Sequence, residues 1–215
     1  RDTCQICRAW QRPLPQNMAT CDLPDKFNEE VQCDIMKVYN QQVFVMVDCC
    51  TRWSETVIVT GKGKDEVMRA LDTWVHRHGA MKKLVFDGES SLRVATPMQE
   101  YYHKHGIEAC PRAKGQQIAI VDRRIALLRD QIHPCLEQIK LEGLTCEFLA
   151  LLNECNFACN AMLSVGGYSP YESVYGRTPG ILPQQPDCLN EEGLPRPGSI
   201  RNTHRVREIA IACMI

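Results

Sequence analysis

From Glu30 to Thr60 the chain is dense in β-branched and apolar residues, in three runs: EVQCDIMKV, QVFVMVDCC and ETVIVT. The polar stretches YNQQ and TRWS separate them, so the pattern predicts a three-strand meander. After Lys64 the period changes. Val67, Leu71, Trp74 and Val75 fall on one helical stripe that ends at His78, and Gly79 stands where a C-terminal cap belongs. KKLVFDG then predicts a short buried strand, Pro97 to His105 a second helix closed by Gly106, and IEAC a fifth strand.

The longest periodic stretch follows the KGQQ loop, where Ile118, Val121, Ile125, Leu128, Ile132, Leu136 and Ile139 recur at threes and fours. That is the spacing of an amphipathic helix, and Pro134 within it predicts a kink or break near Ile132 or His133. A further helix is expected over Thr145 to Leu163, and Ser169 is placed to cap a short one starting at Pro170. A meander followed by strands alternating with helices predicts an α/β fold, a mixed five-stranded sheet flanked by helices. The stretch from Pro179 to Gly198 is rich in proline and glycine, as a linker is, and RNTHRVREIAIACMI predicts the start of a following helical segment. The expected divisions are therefore 1–26, 27–182 and 183–215.

At 215 residues the chain has the length of one main domain with small appendages, and 44% hydrophobic with 24% charged residues is ordinary for a globular protein. No run of about 18 apolar residues is present to span a membrane, and the N-terminus lacks a signal-peptide pattern, so an intracellular protein is expected. Thirteen cysteines, an odd number, then read as reduced thiols rather than a disulfide framework. The net charge of −1 does not advertise a nucleic-acid partner, but local balance does. Between Pro111 and Arg129 lie five bases, Arg112, Lys114, Arg123, Arg124 and Arg129, against the single acid Asp122.

Three aspartates carry the candidate chemistry. Asp34 interrupts the apolar VQCDIM, Asp87 ends LVFDG, and Asp122 lies in the helical IAIVDRRIALLRD; 52 residues lie between the first two and 34 between the second and third. An acid set where an apolar side chain would pack is costly to bury without a partner, and a hard divalent cation is such a partner. Asp34 faces opposite to Cys33, and Asp87 stands at a strand end, where open sheets place ligands. Asp122 lies at the edge of its helix's buried stripe and points partly toward the sheet. Asp48, by contrast, reads as a turn or surface acid. The pairs His76/His78 and His103/His105 are each two residues apart, so they do not share a helix face, and near helix C-termini they read as structural.

With the acids, the segments FNEEVQCD, TRW, DGES, PRAKGQQ and above all GYSPYESVYGRTPGILP resemble the catalytic core of retroviral and retrotransposon integrases, over about residues 1 to 182. The resemblance implies a ribonuclease H-like fold and Mg²⁺ (or Mn²⁺) held by Asp34, Asp87 and Asp122. It also implies processing of element DNA 3′ ends with strand transfer into target DNA, by a homo-oligomer in the nucleus. The family's third acid is usually glutamate; here Asp122 is one methylene shorter. Arg129 is similar in its offset from that acid to a family residue that contacts DNA ends. Cys4 and Cys7 resemble the distal half of the family's His-His-Cys-Cys zinc module, so Zn²⁺ binding is expected only where the upstream histidine pair is present. Two alternatives stay open: a catalytically decayed integrase-like domain, and a ribonuclease H-type nuclease of the same fold.

Overall fold

Alternation along the strands decides which side chains meet which helices. The computed structural model describes residues 23–61, 63–87, 96–112, 118–181 and 197–214. In chain order these form β1 (Glu30–Val38), β2 (Gln41–Asp48), β3 (Ser54–Val59), α1 (Lys64–His78), β4 (Lys83–Asp87), α2 (Thr96–His105), β5 (Glu108–Arg112), α3 (Ala119–Leu141), α4 (Phe148–Met162), α5 (Pro170–Tyr175) and α6 (Pro197–Ala212). They build the expected α/β architecture, a five-stranded sheet in the order β3-β2-β1-β4-β5. The meander strands pair antiparallel, while β4 runs parallel to β1 and β5 parallel to β4. Pro111, which cannot donate to a ladder, is tolerated because β5 is an edge strand.

Each face of the sheet has its own core. Val31, Cys33, Phe44, Met46, Leu84 and Phe86 pack with α1 and α2 around Trp74 and Tyr102. Met36, Val38, Val43, Val45, Val47 and Val85 point the other way, onto α3 and α4. Period-two alternation therefore puts Gln32, Asp34 and Asp87 on the α3 face, among residues that pack there.

Buried polar groups fasten the helices to the sheet edge. Asn156 and Asn160 of α4 close on Ser54 of β3: the Ser54 amide donates to Asn160 Oδ1 at 3.0 Å, and both asparagine Nδ2 groups donate to the Ser54 carbonyl at 2.9 and 2.8 Å. Asp48 is fully buried and shapes the β2–β3 turn, accepting from the amides of Asn28 and Thr51 at 2.8 and 2.7 Å. His78, half of one H-x-H pair, lies 3.2 Å from Glu55 and packs edge-on to Trp53 and Trp74. At α5 the Ser169 cap forms as the sequence predicts, with Glu172 completing a reciprocal capping box.

Two expectations give way. Helix α3 runs from Ala119 to Leu141 through the buried Pro134, so of the expected kink or break the break does not occur, and Ile132 and Cys135 beside the proline pack into the core. Helix α6, expected to start a following segment, folds back instead. Val206, Ile209 and Ala210 are buried in the same core as α3 and α4, and Arg207 pairs with Glu154 of α4 at 2.6 Å. The described cysteines are free thiols, and no described helix is long and apolar enough to cross a membrane.

Candidate active site

The β1–β4 ladder brings the first two acids together. Its last registered pair is Cys33 with Phe86, so the next step along both strands sets Asp34 beside Asp87. Neighbouring strands lie about 4.8 Å apart, and residues abreast on parallel strands point to the same face. Asp87 also pairs with Arg112 of β5, which extends the row to Asp34, Asp87 and Arg112. Asp34 Oδ1 accepts from the Ile35 amide at 2.7 Å.

Asp122 comes from the helix that packs on this sheet face and is exposed. It lies in the first turn of α3, where it suits the positive end of the helix dipole. Its carboxyl is held above the usual carboxylate range, chiefly by desolvation and further by the negative charge of Asp87, while a hydrogen bond from the Ile118 amide opposes the shift. Among the described residues, no group of three acids, histidines or cysteines converges as a ready metal shell. Even so, the donor set fits a hard ion: carboxylate oxygens from mid-β1, the end of β4 and the first turn of α3, half-buried at Asp34 and Asp87 and exposed at Asp122.

Gln32 fixes where α3 begins, and the sequence reading missed it. The helix has no side-chain cap of its own at Ile118. Gln32 Oε1 fills that role from β1, accepting from the Ile120 and Val121 amides at 3.1 and 3.3 Å. Two of the free amides of a helix start are thus satisfied by the residue two before Asp34 on the same strand face. The signal was present in VQCDIM, a second polar residue in an apolar strand at the same parity as the acid.

The five bases separate. Arg112 and Arg123 are exposed and Arg129 half-buried, and of these Arg112 is the one that strand register sets next to an acid, Asp87. Arg124 does not join them. It is 2% exposed, and its Nη2 donates to the carbonyl of Arg52. It stands three residues after Val121 and four before Leu128, on the buried stripe of the helix, and that position decided its fate. Lys114, and the candidate zinc ligands Cys4 and Cys7, lie outside the described residues.

No protein-family model and no curated sequence matches the chain. Solved structures do. The catalytic core domain of BIV integrase superposes with a TM-score of 0.56 at 17% identity, over 67% of this chain and 92% of that one. The HTLV-2 integrase catalytic core domain in complex with magnesium, in a trimeric form, gives 0.56 at 13%, over 67% and 95%. A chain of the simian T-cell lymphotropic virus intasome, in complex with the PP2A regulatory subunit B56 gamma, gives 0.63 at 14%, over 84% and 65%. The chain therefore has the ribonuclease H-like fold of retroviral integrase catalytic cores.

Proposed function

We propose that this chain is an integrase-type polynucleotidyl transferase core that cuts DNA 3′ ends and joins them to target DNA. One observation carries the reading: register sets Asp34 beside Asp87 on adjacent parallel strands inside an integrase-core fold, and Asp122 in the first turn of α3 is the third acid of this reading. Asp34, Asp87 and Asp122 would hold Mg²⁺ or Mn²⁺. Such an ion, when bound, activates the attacking water or 3′-hydroxyl and stabilises the leaving oxygen.

The protein's own contribution is placement. Gln32 holds the α3 start over the sheet, and so sets how far the short side chain of Asp122 must reach. Arg112, Arg123 and Arg129 offer guanidinium groups to phosphates around the row, with Lys114 as a fourth base. A homo-oligomer on paired DNA ends, working on chromosomal DNA in the nucleus, belongs to the same reading, as does Zn²⁺ at Cys4 and Cys7 when a histidine pair completes that site. In an assay with oligonucleotide ends and supercoiled target, joining should depend on divalent metal and disappear in Asp34→Asn.

A second reading, a descendant that binds DNA without joining it, is favoured by the shortened third acid and by the absence of a converged three-acid shell among the described residues. It is distinguished by DNA binding that survives Asp34→Asn while joining is absent from the wild type. Cleavage of an RNA–DNA hybrid without joining would instead indicate a ribonuclease H-type nuclease.

A further inference from the structure

Among the described residues, Arg124 is a buried cation with no acidic partner. Beyond the bond from Nη2 to the Arg52 carbonyl, its favourable partner is the hydrogen-bonded Cys159, a fully buried thiol whose titration burial pushes up. Among the described residues, Nη1 is buried with no hydrogen-bond partner. A buried charge without compensation costs several kcal/mol, and a guanidinium with an open donor is matched best by an oxyanion.

A cavity adjoins it. Arg124 forms part of the wall of a space of about 290 Å³ between the β2–β3 turn, the start of α3 and the segment after α4. Arg52 and Arg123 contribute two more guanidinium groups, and Leu127, Leu163 and Val165 give it apolar sides. None of the three acids lines the space: Val47 in its wall pairs with Gln32 on β1, whereas Asp34 pairs with Val45.

We propose that this cavity binds a carboxylate carried on a compact apolar body, either a small aryl or alkyl acid or the C-terminal carboxylate of a peptide ending in a hydrophobic residue. A monoanion matches one buried positive charge and one open buried donor. A phosphate dianion would bring more charge to be desolvated beside Leu127, Leu163 and Val165, and because Arg52, Arg123 and Ser164 also line the wall the titration sets phosphate directly against the carboxylate. The size agrees as well, since liquid water occupies about 30 Å³ per molecule and the cavity is on the order of ten such volumes, room for one aromatic or branched side chain. A nucleic-acid backbone, with its phosphates flanked by sugars, does not fit an apolar-sided recess of that size. The site stands whatever the acid row does.

The test is titration of the whole chain by calorimetry with phenylacetate, its neutral isostere phenylacetamide and inorganic phosphate, together with the variants Arg124→Met and Leu127→Trp. Leu127→Trp fills the cavity and leaves the guanidinium in place, so it reports even where the arginine variant folds poorly. Saturable binding of phenylacetate, at least tenfold weaker in both variants and absent for phenylacetamide, is the expected result. A peptide ending in a free phenylalanine carboxylate that binds at least tenfold tighter than phenylacetate identifies a chain terminus as the source; equal or weaker binding identifies the small acid. No saturable binding of either acid overturns the proposal. So does phenylacetamide binding as well as phenylacetate, phosphate binding as tightly, or unchanged affinity in the variants.

Discussion

Asp87 stands abreast of Asp34 on the neighbouring parallel strand, one step past the Cys33–Phe86 pair. Two carboxylates on one sheet face at strand spacing repel each other by about 1 kcal/mol in a water-like dielectric, and by more where the sheet and α3 lower it. Asp34→Asn and Asp87→Asn should therefore leave thermal stability unchanged or slightly raised without metal, while weakening Mn²⁺ binding at least tenfold. Paramagnetic Mn²⁺ titration with parallel melting curves measures both. A variant that loses stability and keeps its metal affinity would show that the acid serves the fold instead.

Gln32 gives a prediction of the opposite sign. Gln32→Leu leaves the Ile120 and Val121 amides without their acceptor, and unsatisfied buried donors cost roughly 1–3 kcal/mol. Urea denaturation should show a loss of that size, and amide exchange should show it concentrated in the first turn of α3. Loss of metal affinity should accompany it, because that turn carries Asp122. Exchange that rises uniformly along the chain would argue against a local pin.

The length of the third acid can be tested directly. Glutamate would extend the carboxylate by about 1.5 Å, one carbon–carbon bond, and misplacement by about 1 Å can cost on the order of 100-fold in rate. Asp122→Glu is expected to increase metal-dependent joining or cleavage relative to wild type, and Asp122→Ala to abolish it. Activity indifferent to both would remove Asp122 from the site.

Glu142 and Arg205 tie the end of α3 to α6, with a 2.7 Å contact. Arg205 first, and then Gln138, holds the Glu142 carboxyl down from its ordinary 4.5 to about 2. A depressed carboxylate contributes stability above its unfolded value and loses it as pH falls toward the folded one. Protection of α6 amides from exchange should thus be full above about pH 5 and decline between 4.5 and 2, relative to Glu142→Gln. Parallel pH profiles for the two proteins would contradict this.

Much of the fold was legible because each strand carries its own period. VQCDIM and QVFVMVD alternate between two apolar faces, and the odd polar residues, Asp34 above all, stood out against them. Arg124 shows where legibility stopped: five bases in one run suggested a charged surface, yet helical spacing put this one on the stripe of Val121 and Leu128, where only tertiary packing shows what it meets. Helix α6 failed for a related reason. Its apolar positions Val206, Ile209 and Ala210 were readable, but nothing local says that α3 and α4 cover them. Pro134 was read by backbone rule alone, and packing of Ile132 and Cys135 beside it keeps the helix continuous. Asp48 looked like a turn acid and is one, although its complete burial depends on Asn28, which approaches from before β1.

The central claim is that Asp34, Asp87 and Asp122 share a divalent ion. Crystals of the full chain soaked in Mn²⁺ and measured at the manganese absorption edge test it most directly. The expected result is an anomalous peak between the Asp34 and Asp87 carboxylates, about 2 Å from an oxygen of each, with Asp122 turned toward it. Ordered carboxylates with no peak at saturating Mn²⁺, or Asp34 and Asp87 carboxyl groups about 10 Å apart, would contradict it.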